Sequence, residues 1–179
     1  MLNEILSSKI LINDNINGQI KIKTNKLNKI KLFDNAIINF NFEEGDINLN
    51  NSYFTNNKFA KISLYNTNFE QNDGSSNFDG EIKFDIFDYE QFFRVFSIPK
   101  KNRLKKKIFK INFQYTFNLN NSKFSIDRIN FLDKNDKIIQ SKNVDDFVED
   151  NYEMRFQISN NVLFKNFMRQ VINIYLDEG

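Results

Sequence analysis

The residues that come nearest to catalytic or metal chemistry are carboxylates: the pairs Asp145-Asp146 and Glu149-Asp150, and the run Asp133-Lys134-Asn135-Asp136-Lys137, which resembles the start of a calcium loop. Two carboxylates flanking a cleft, about 5 to 10 Å apart, can divide the acid and base roles of glycoside hydrolysis. Nothing in the sequence sets a nucleophile or a metal beside these pairs, so they read as a solvated helix face. The calcium reading fails because Lys137 stands where a third oxygen ligand is needed and no Gly follows at the required turn. The run reads as a hairpin turn. With no His and no Cys, His-dependent triads, thiolate nucleophiles and the usual zinc sites are excluded. The few Gly form no phosphate-cradling loop. The expectation is a protein that is not an enzyme, with no cofactor and no metal.

One dense charge run remains, Lys100 to Lys110. Its Lys100, Lys101, Arg103, Lys105 and Lys106 are candidates for contact with anionic lipid headgroups, each base near such a surface contributing about 1 kcal/mol. The plainer reading is a solvated linker. Nucleic acid is not expected as a partner, because the net charge is only +2 and the neighbouring aromatics alternate into one strand face, where burial consumes them before they can stack on bases.

The elements that would position these residues are mostly strands. Apolar residues recur two apart in Ile20/Ile22, Ile30/Leu32, Ile38/Phe40/Phe42, Ile47/Leu49, Ile62/Leu64 and Ile82/Phe84/Ile86, the period of a half-buried strand. A strand ladder over 16–86 follows, with pieces at Ile16–Lys23, Ile30–Phe33, Ile37–Phe42, Asp46–Asn50, Lys61–Tyr65 and Phe78–Ile86. Asn17-Gly18 suits a tight hairpin, and Glu43-Glu44-Gly45-Asp46 and Asn72-Asp73-Gly74-Ser75-Ser76 read as turns. The period changes over 88–97, where an acidic start caps a short helix carrying Phe92, Phe93 and Phe96, ended by Pro99. Over 108–140 a long hairpin is expected: Phe109, Ile111, Phe113, Tyr115, Phe117 and Leu119 share one face, Asn120-Asn121 turns, Lys123–Leu132 returns, and a short strand follows at Lys137–Gln140. The tail, 143–176, reads as a short helix and then an amphipathic one with Phe164, Phe167, Met168, Val171, Ile172 and Tyr175 at helical spacing.

The fold class is therefore mainly β: a curved antiparallel meander sheet with a short mid-chain helix and a C-terminal amphipathic helix, in one domain of 179 residues or as a C-terminal segment of a larger protein. A five-residue recurrence, Leu49, Phe54, Phe59, Leu64 and Phe69, resembles the pentapeptide-repeat solenoids, but it covers only about 25 residues and its small-residue positions are broken, so the meander is preferred. The start of the chain lacks the basic and apolar regions of a signal peptide, and no stretch reaches the roughly 18 apolar residues of a spanning helix. The expectation is a soluble chain, with any export signal or anchor lying outside it. The skew to Asn, Lys, Ile and Phe reads first as an AT-rich genome. Physics alone leaves open whether core, partner or lipid lies against the apolar face.

The phrases Gly18-Gln19-Ile20-Lys21-Ile22, Gly45-Asp46-Ile47-Asn48-Leu49-Asn50-Asn51-Ser52-Tyr53-Phe54, Lys61-Ile62-Ser63-Leu64-Tyr65-Asn66-Thr67-Asn68-Phe69 and Phe78-Asp79-Gly80-Glu81-Ile82-Lys83-Phe84 resemble the "G-x-I-x-L-x-N-S/T-x-F" phrases of AsmA-like envelope proteins. The helix, Pro-Lys-Lys-x-Arg and long strand that follow are similar to the C-terminal region of such proteins. The resemblance implies a β-groove whose apolar inner face accepts phospholipid chains, at the periplasmic face of the bacterial envelope and inner-membrane associated if the full-length protein carries an N-terminal anchor. It implies phospholipid or a membrane surface as partner, with other envelope proteins, in outer-membrane maintenance or phospholipid transfer. The chain departs from the family in having no anchor and in being much shorter. On this reading Ile38, Phe40, Phe42, Ile82, Phe84, Phe109, Ile111, Phe113 and Phe117 face lipid, and Lys100, Lys101, Arg103, Lys105 and Lys106 lie near headgroups. The alternative is a structural or protein-interaction module that binds through its sheet edge, without lipid.

Overall fold

The computed structural model describes residues 15–25, 32–72, 75–104, 106–151, 156–157 and 161–178. Alternating apolar residues build a mainly β structure. Strands β1 (Gly18–Thr24), β2 (Asn35–Glu43), β3 (Asp46–Asn48), β4 (Tyr53–Asn56), β5 (Ala60–Asn72), β6 (Ser75–Ile86), β7 (Lys110–Asn118), β8 (Lys123–Leu132), β9 (Ile138–Ile139) and β10 (Phe156–Gln157) form one ten-stranded sheet. Every pairing is antiparallel, and β3 and β4 follow each other along one line between β2 and β5. This is the curved meander that the sequence pattern predicts.

The turns explain the connections. Glu44 (φ 48) and Gly45 (φ 86) close the β2–β3 hairpin as a two-residue loop with both central residues left-handed. Residues 119–122 join β7 to β8 where Asn120-Asn121 was expected to turn. At the β8–β9 turn Asp133 Oδ1 accepts from the backbone N–H groups of Asn135 (2.7 Å) and Lys137 (2.9 Å), so the calcium-like run is a turn stabilised by its own carboxylate. Asp73 and Gly74 lie outside the described residues.

Four helices accompany the sheet: α1 (Tyr89–Val95), α2 (Lys100–Arg103), α3 (Lys142–Asp150) and α4 (Asn161–Asp177). Asp88 caps α1 by accepting from Gln91 N–H at 3.0 Å. Pro99 does not end α1, contrary to the sequence expectation. Ser97 (φ 57) does, with Ile98 N–H returning to Phe93 O and Ser97 N–H to Arg94 O, a left-handed C-terminal cap that turns Ile98 into the core. Pro99 instead opens α2, so part of the basic run is helical rather than linker.

Other expectations needed correction. Asn17-Gly18 is no tight hairpin: it leads into β1, and Asn17 Oδ1 accepts from Glu44 N–H at 2.9 Å. Of the piece Ile30–Phe33, Ile30 and Lys31 lie outside the described residues, while Leu32 and Phe33 are buried but not in a strand. Strand β4 was missed. Phe54, Leu64 and Phe69 sit on paired antiparallel strands, not on successive coils of a solenoid. Among the described residues no helix is long and apolar enough to cross a membrane, a statement that does not bear on crossing by strands.

Candidate functional site

Register decides which side chains share the apolar face. Ile62, Phe84, Ile111 and Phe131 stand opposite one another across β5–β8, as do Leu64, Ile82, Phe113 and Ile129, and residues directly opposite in a ladder point the same way. Ile38, Phe40 and Phe42 alternate along β2 and Phe117 along β7, so eight of the nine nominated residues lie on one face. Phe109 is the exception. It lies one residue before β7, where Ile108 turns inward instead, and its side chain is 39% exposed.

That face is filled by the chain itself. Ile82, Phe84, Ile111 and Phe113 belong to a core roofed by α1, α3 and α4, in which the Phe84 ring meets Phe113 at 5.4 Å and Phe92 of α1 at 6.5 Å. Helix α4 contributes buried Phe167, Met168, Val171, Ile172, Tyr175 and Leu176. Full burial of each large apolar side chain stabilises by about 1.5–3 kcal/mol. Phe40 and Phe42 belong to a second cluster with Ile47, Phe78 and Leu119, against which Ile38 and Phe117 are half-buried. Strands β2 and β6 are separated by two strand lines, and Ile47 of β3 and Phe69 of β5 bridge the cluster between them.

A transverse crease lies between the clusters. The β3–β4 line breaks at residues 49–52, β5 bulges between Tyr65 and Asn68, and β8 carries Asp127 as an extra residue between Ile126 and Arg128. All three irregularities fall at the level of Gly80, and such bulges bend a sheet. Polar groups satisfy the broken ladder. Ser52 Oγ accepts from Asn39 N–H (2.9 Å) and donates to Asn39 O (3.3 Å), Asn50 Oδ1 accepts from Thr67 N–H (3.0 Å), and the Tyr115 hydroxyl donates to Thr67 Oγ1 (3.3 Å).

Of the nominated bases, Lys100 and Lys101 are exposed on α2. Arg103 and Lys106 are folded back: Arg103 Nε donates to Ile98 O at 2.8 Å, and Lys106 Nζ donates to Tyr175 O at 3.1 Å while lying 4.6 Å from the Tyr175 ring centroid. Lys105 lies outside the described residues. Sequence reasoning missed Phe87 and Leu104, respectively 62% and 88% exposed. No periodic signal marks them, since each follows the end of an element.

The two sheet edges differ. Strand β8 is flanked at one end by β9 and at the other by β10. Among the described residues β1 pairs with β2 alone, and all its residues except Thr24 are exposed, including Ile20 and Ile22. Asn39, opposite Lys21, turns both its N–H and its C=O to Ser52 on the far side of β2. Antiparallel partners in such a pair direct their backbone groups away from one another, so Lys21, and by alternation Gln19 and Lys23, present N–H and C=O outward from the sheet.

The acidic candidates do not converge. Asp145, Asp146, Glu149 and Asp150 are all exposed on α3, and among the described residues no three potential ligands gather for a metal. The structure adds one carboxylate the sequence did not flag: Asp127, on the β8 bulge, is raised by partial burial, though Thr116 Oγ1 hydrogen-bonds it at 3.3 Å. Comparisons with protein-family models, curated proteins and solved structures each return no match to this chain.

Proposed function

We propose that this chain is a non-enzymatic β-module that lengthens its sheet by accepting a strand from another β-protein along β1. The observation that carries the reading is the outward backbone of Gln19, Lys21 and Lys23, beside the exposed apolar side chains of Ile20 and Ile22. Strand addition uses such an edge for affinity and alternate side chains for specificity. Lysines at 21 and 23 blunt self-pairing, because two antiparallel copies of β1 would set like charges close together. The fitting partner strand alternates apolar residues, against Ile20 and Ile22, with acidic residues against the lysines.

The envelope setting and the phospholipid come to this reading from the resemblance of the repeated phrases. In that setting the lengthened sheet carries the apolar face onward past β1, and acyl chains lie on the added part rather than over Phe84 and Phe113, whose surroundings are occupied.

Synthetic strands test the edge. A peptide alternating Ile and Glu is expected to protect the amides of Gln19, Lys21 and Lys23 from hydrogen exchange, and an Ile/Lys peptide is not. Lys21→Pro removes an outward N–H that β2 does not use, a substitution edge strands tolerate, so it keeps the fold and loses the protection. Equal protection by both peptides, or none by either, ends the proposal.

A further inference from the structure

The crease divides the sheet into two parts that are held by different means. On one side Phe84, Ile111, Phe113, Ile129 and Phe131 share a cluster with residues of α1, α3 and α4. On the other, Phe40, Phe42, Ile47, Phe78 and Leu119 are packed by strand and turn residues, and among the described residues no helix joins them. The two clusters have no member in common. Polar groups stand between them: Ser52 and Thr67 are fully buried at the crease, and the Tyr115 hydroxyl reaches Thr67 Oγ1 at 3.3 Å.

Backbone pairing is interrupted at the same level. Strand β5 is opposite β3 at the single pair Asn48 and Asn68, whereas β4 opposes it at four positions. Along β5–β6 the register jumps from Tyr65 opposite Glu81 to Asn68 opposite Asp79. Along β7–β8 Asp127 is left over between the pairs of Tyr115 with Ile126 and Gln114 with Arg128. A bulge disrupts the ladder locally, and cooperative opening spreads through continuous packing and pairing. Here both are broken along one line.

We infer that the crease is a built-in boundary, and that the sheet beyond it opens and closes as one unit while the helix-roofed part stays folded. The unit comprises β3, Phe40–Glu43 of β2, Asn68–Asn72 of β5, Ser75–Asp79 of β6, Thr116–Asn118 of β7 and Lys123–Ser125 of β8. Its opening uncovers Phe40, Phe42 and Phe78 and leaves Phe84 and Phe113 beneath the helices. Gly18, Gln19 and Ile20 are opposite Phe42, Asn41 and Phe40, so the same motion unseats that end of β1 and controls when the edge is formed. The boundary stands on the two clusters and the broken ladder, and holds whether or not β1 accepts a strand.

The protein contains no Cys, so one introduced thiol reports one site. Ser76 beyond the crease and Ser63 on the helix-roofed side are both buried, and Ser76→Cys and Ser63→Cys are small changes there. When closing outpaces the thiol reagent, the labelling rate reads the population of the open form. In dilute urea Ser76→Cys is expected to label at least tenfold faster than Ser63→Cys. Its rate rises less steeply with urea, because partial opening exposes less surface than global unfolding. The two rates converge near the global midpoint. Ile47→Val, distant on β3, distinguishes a unit from fraying at Ser76 alone: it is expected to speed labelling at Ser76→Cys about two- to tenfold, the range for that deletion in a core. Ile111→Val speeds Ser63→Cys by a similar factor and leaves the dilute-urea rate at Ser76→Cys unchanged. Equal rates and equal urea slopes at the two thiols overturn the inference, as does an unchanged Ser76→Cys rate in the Ile47→Val background. Acceleration of Ser76→Cys by Ile111→Val as large as by Ile47→Val also overturns it, since the sheet then opens as a whole. Circular dichroism of each variant reports whether its fold is kept.

Discussion

The ring of Tyr175 on α4 lies flat against that of Phe131 on β8, with 3.8 Å between centroids and 9° between planes, and the Lys106 ammonium covers the ring at 4.6 Å. This stack fastens the end of the C-terminal helix to the sheet and draws the basic run in with it. Tyr175 is nearly fully buried, so Tyr175→Ala is expected to destabilise by about 3–5 kcal/mol, the range for deleting a large buried aromatic. Lys106→Ala costs about 1 kcal/mol through the lost cation–ring contact and the hydrogen bond to Tyr175 O. Urea unfolding monitored by circular dichroism checks both. A Tyr175→Ala variant with the parent's midpoint would mean that the helix does not hold the core closed.

Gly80 marks the crease. A Cβ there would meet Thr67 Oγ1 at 2.6 Å and Thr67 Cα at 2.7 Å, and the second contact is with backbone. Rotation of the Thr67 side chain cannot relieve it. Gly80→Ala is expected to cost about 1–3 kcal/mol by overpacking. Adding Thr67→Ala recovers little of that loss, whereas a clash with the hydroxyl alone would be fully relieved. The double-mutant cycle in urea reads the difference.

Gly80 also shows what was legible in the sequence and what was not. Period-two alternation identified Phe84, Ile111 and Phe113 as one face, and 3.6-residue spacing identified the buried stripe of α4 from Phe167 to Tyr175, because both signals are local. The crease depends on irregularities in β3–β4, β5 and β8 falling at one level, a coincidence of register between segments far apart in the chain. Strand β4 was missed because residues 49–52 interrupt its line and Tyr53–Asn56 alone is too short to establish a period. At the candidate surfaces the run of bases was legible as composition. That Lys106 folds onto Tyr175 while Lys100 and Lys101 stay exposed is decided by where α4 ends, which no local pattern carries.

Asp136 couples the β8–β9 turn to the outer face of the sheet. Its carboxylate meets Lys83 Nζ at 2.6 Å and Lys110 Nζ at 2.7 Å. Hydrogen bonds from Lys110 and Lys83 hold the carboxyl below the usual carboxylate range. A depressed folded-state pKa stabilises above the unfolded value, about 3.9, and that stability is lost as pH falls through the folded value. Asp136→Asn is therefore expected to lower the urea midpoint near neutral pH, to shallow the acid limb of the stability profile below about pH 4, and to show less salt dependence than the parent.

Tyr115 gives the opposite limb. Burial pushes its phenol up to about 12, with the Thr67 hydrogen bond opposing the shift. A raised folded-state pKa means stability that is complete below the ordinary phenol value, about 10, and lost as pH climbs through the folded value. Tyr115→Phe removes that alkaline loss. At neutral pH it costs only about 1 kcal/mol, since Thr67 Oγ1 keeps its donation to Tyr65 O at 3.1 Å and is not left unpaired. Ultraviolet titration of the phenolates, with stability measured at about pH 7 and pH 11, checks the pair of expectations. Equal alkaline sensitivity in parent and variant would contradict them.

Ser52 bears on β2, the strand that backs the β1 edge. It is fully buried, and its single hydroxyl serves both backbone groups of Asn39 where the β3–β4 line is broken. Ser52→Ala leaves a buried N–H and a buried C=O without a partner, expected to cost about 1–3 kcal/mol for each group left unsatisfied. The loss falls first on β2, and β1 has no other strand beside it among the described residues. Amides of Ile20 and Ile22, which bond inward to β2, should then exchange faster in the variant, while those of β7 keep their protection under conditions of local opening. Hydrogen exchange resolved by residue tests this. Uniform acceleration across β1 and β7 would instead mean that the two clusters open together and that the crease does not divide them.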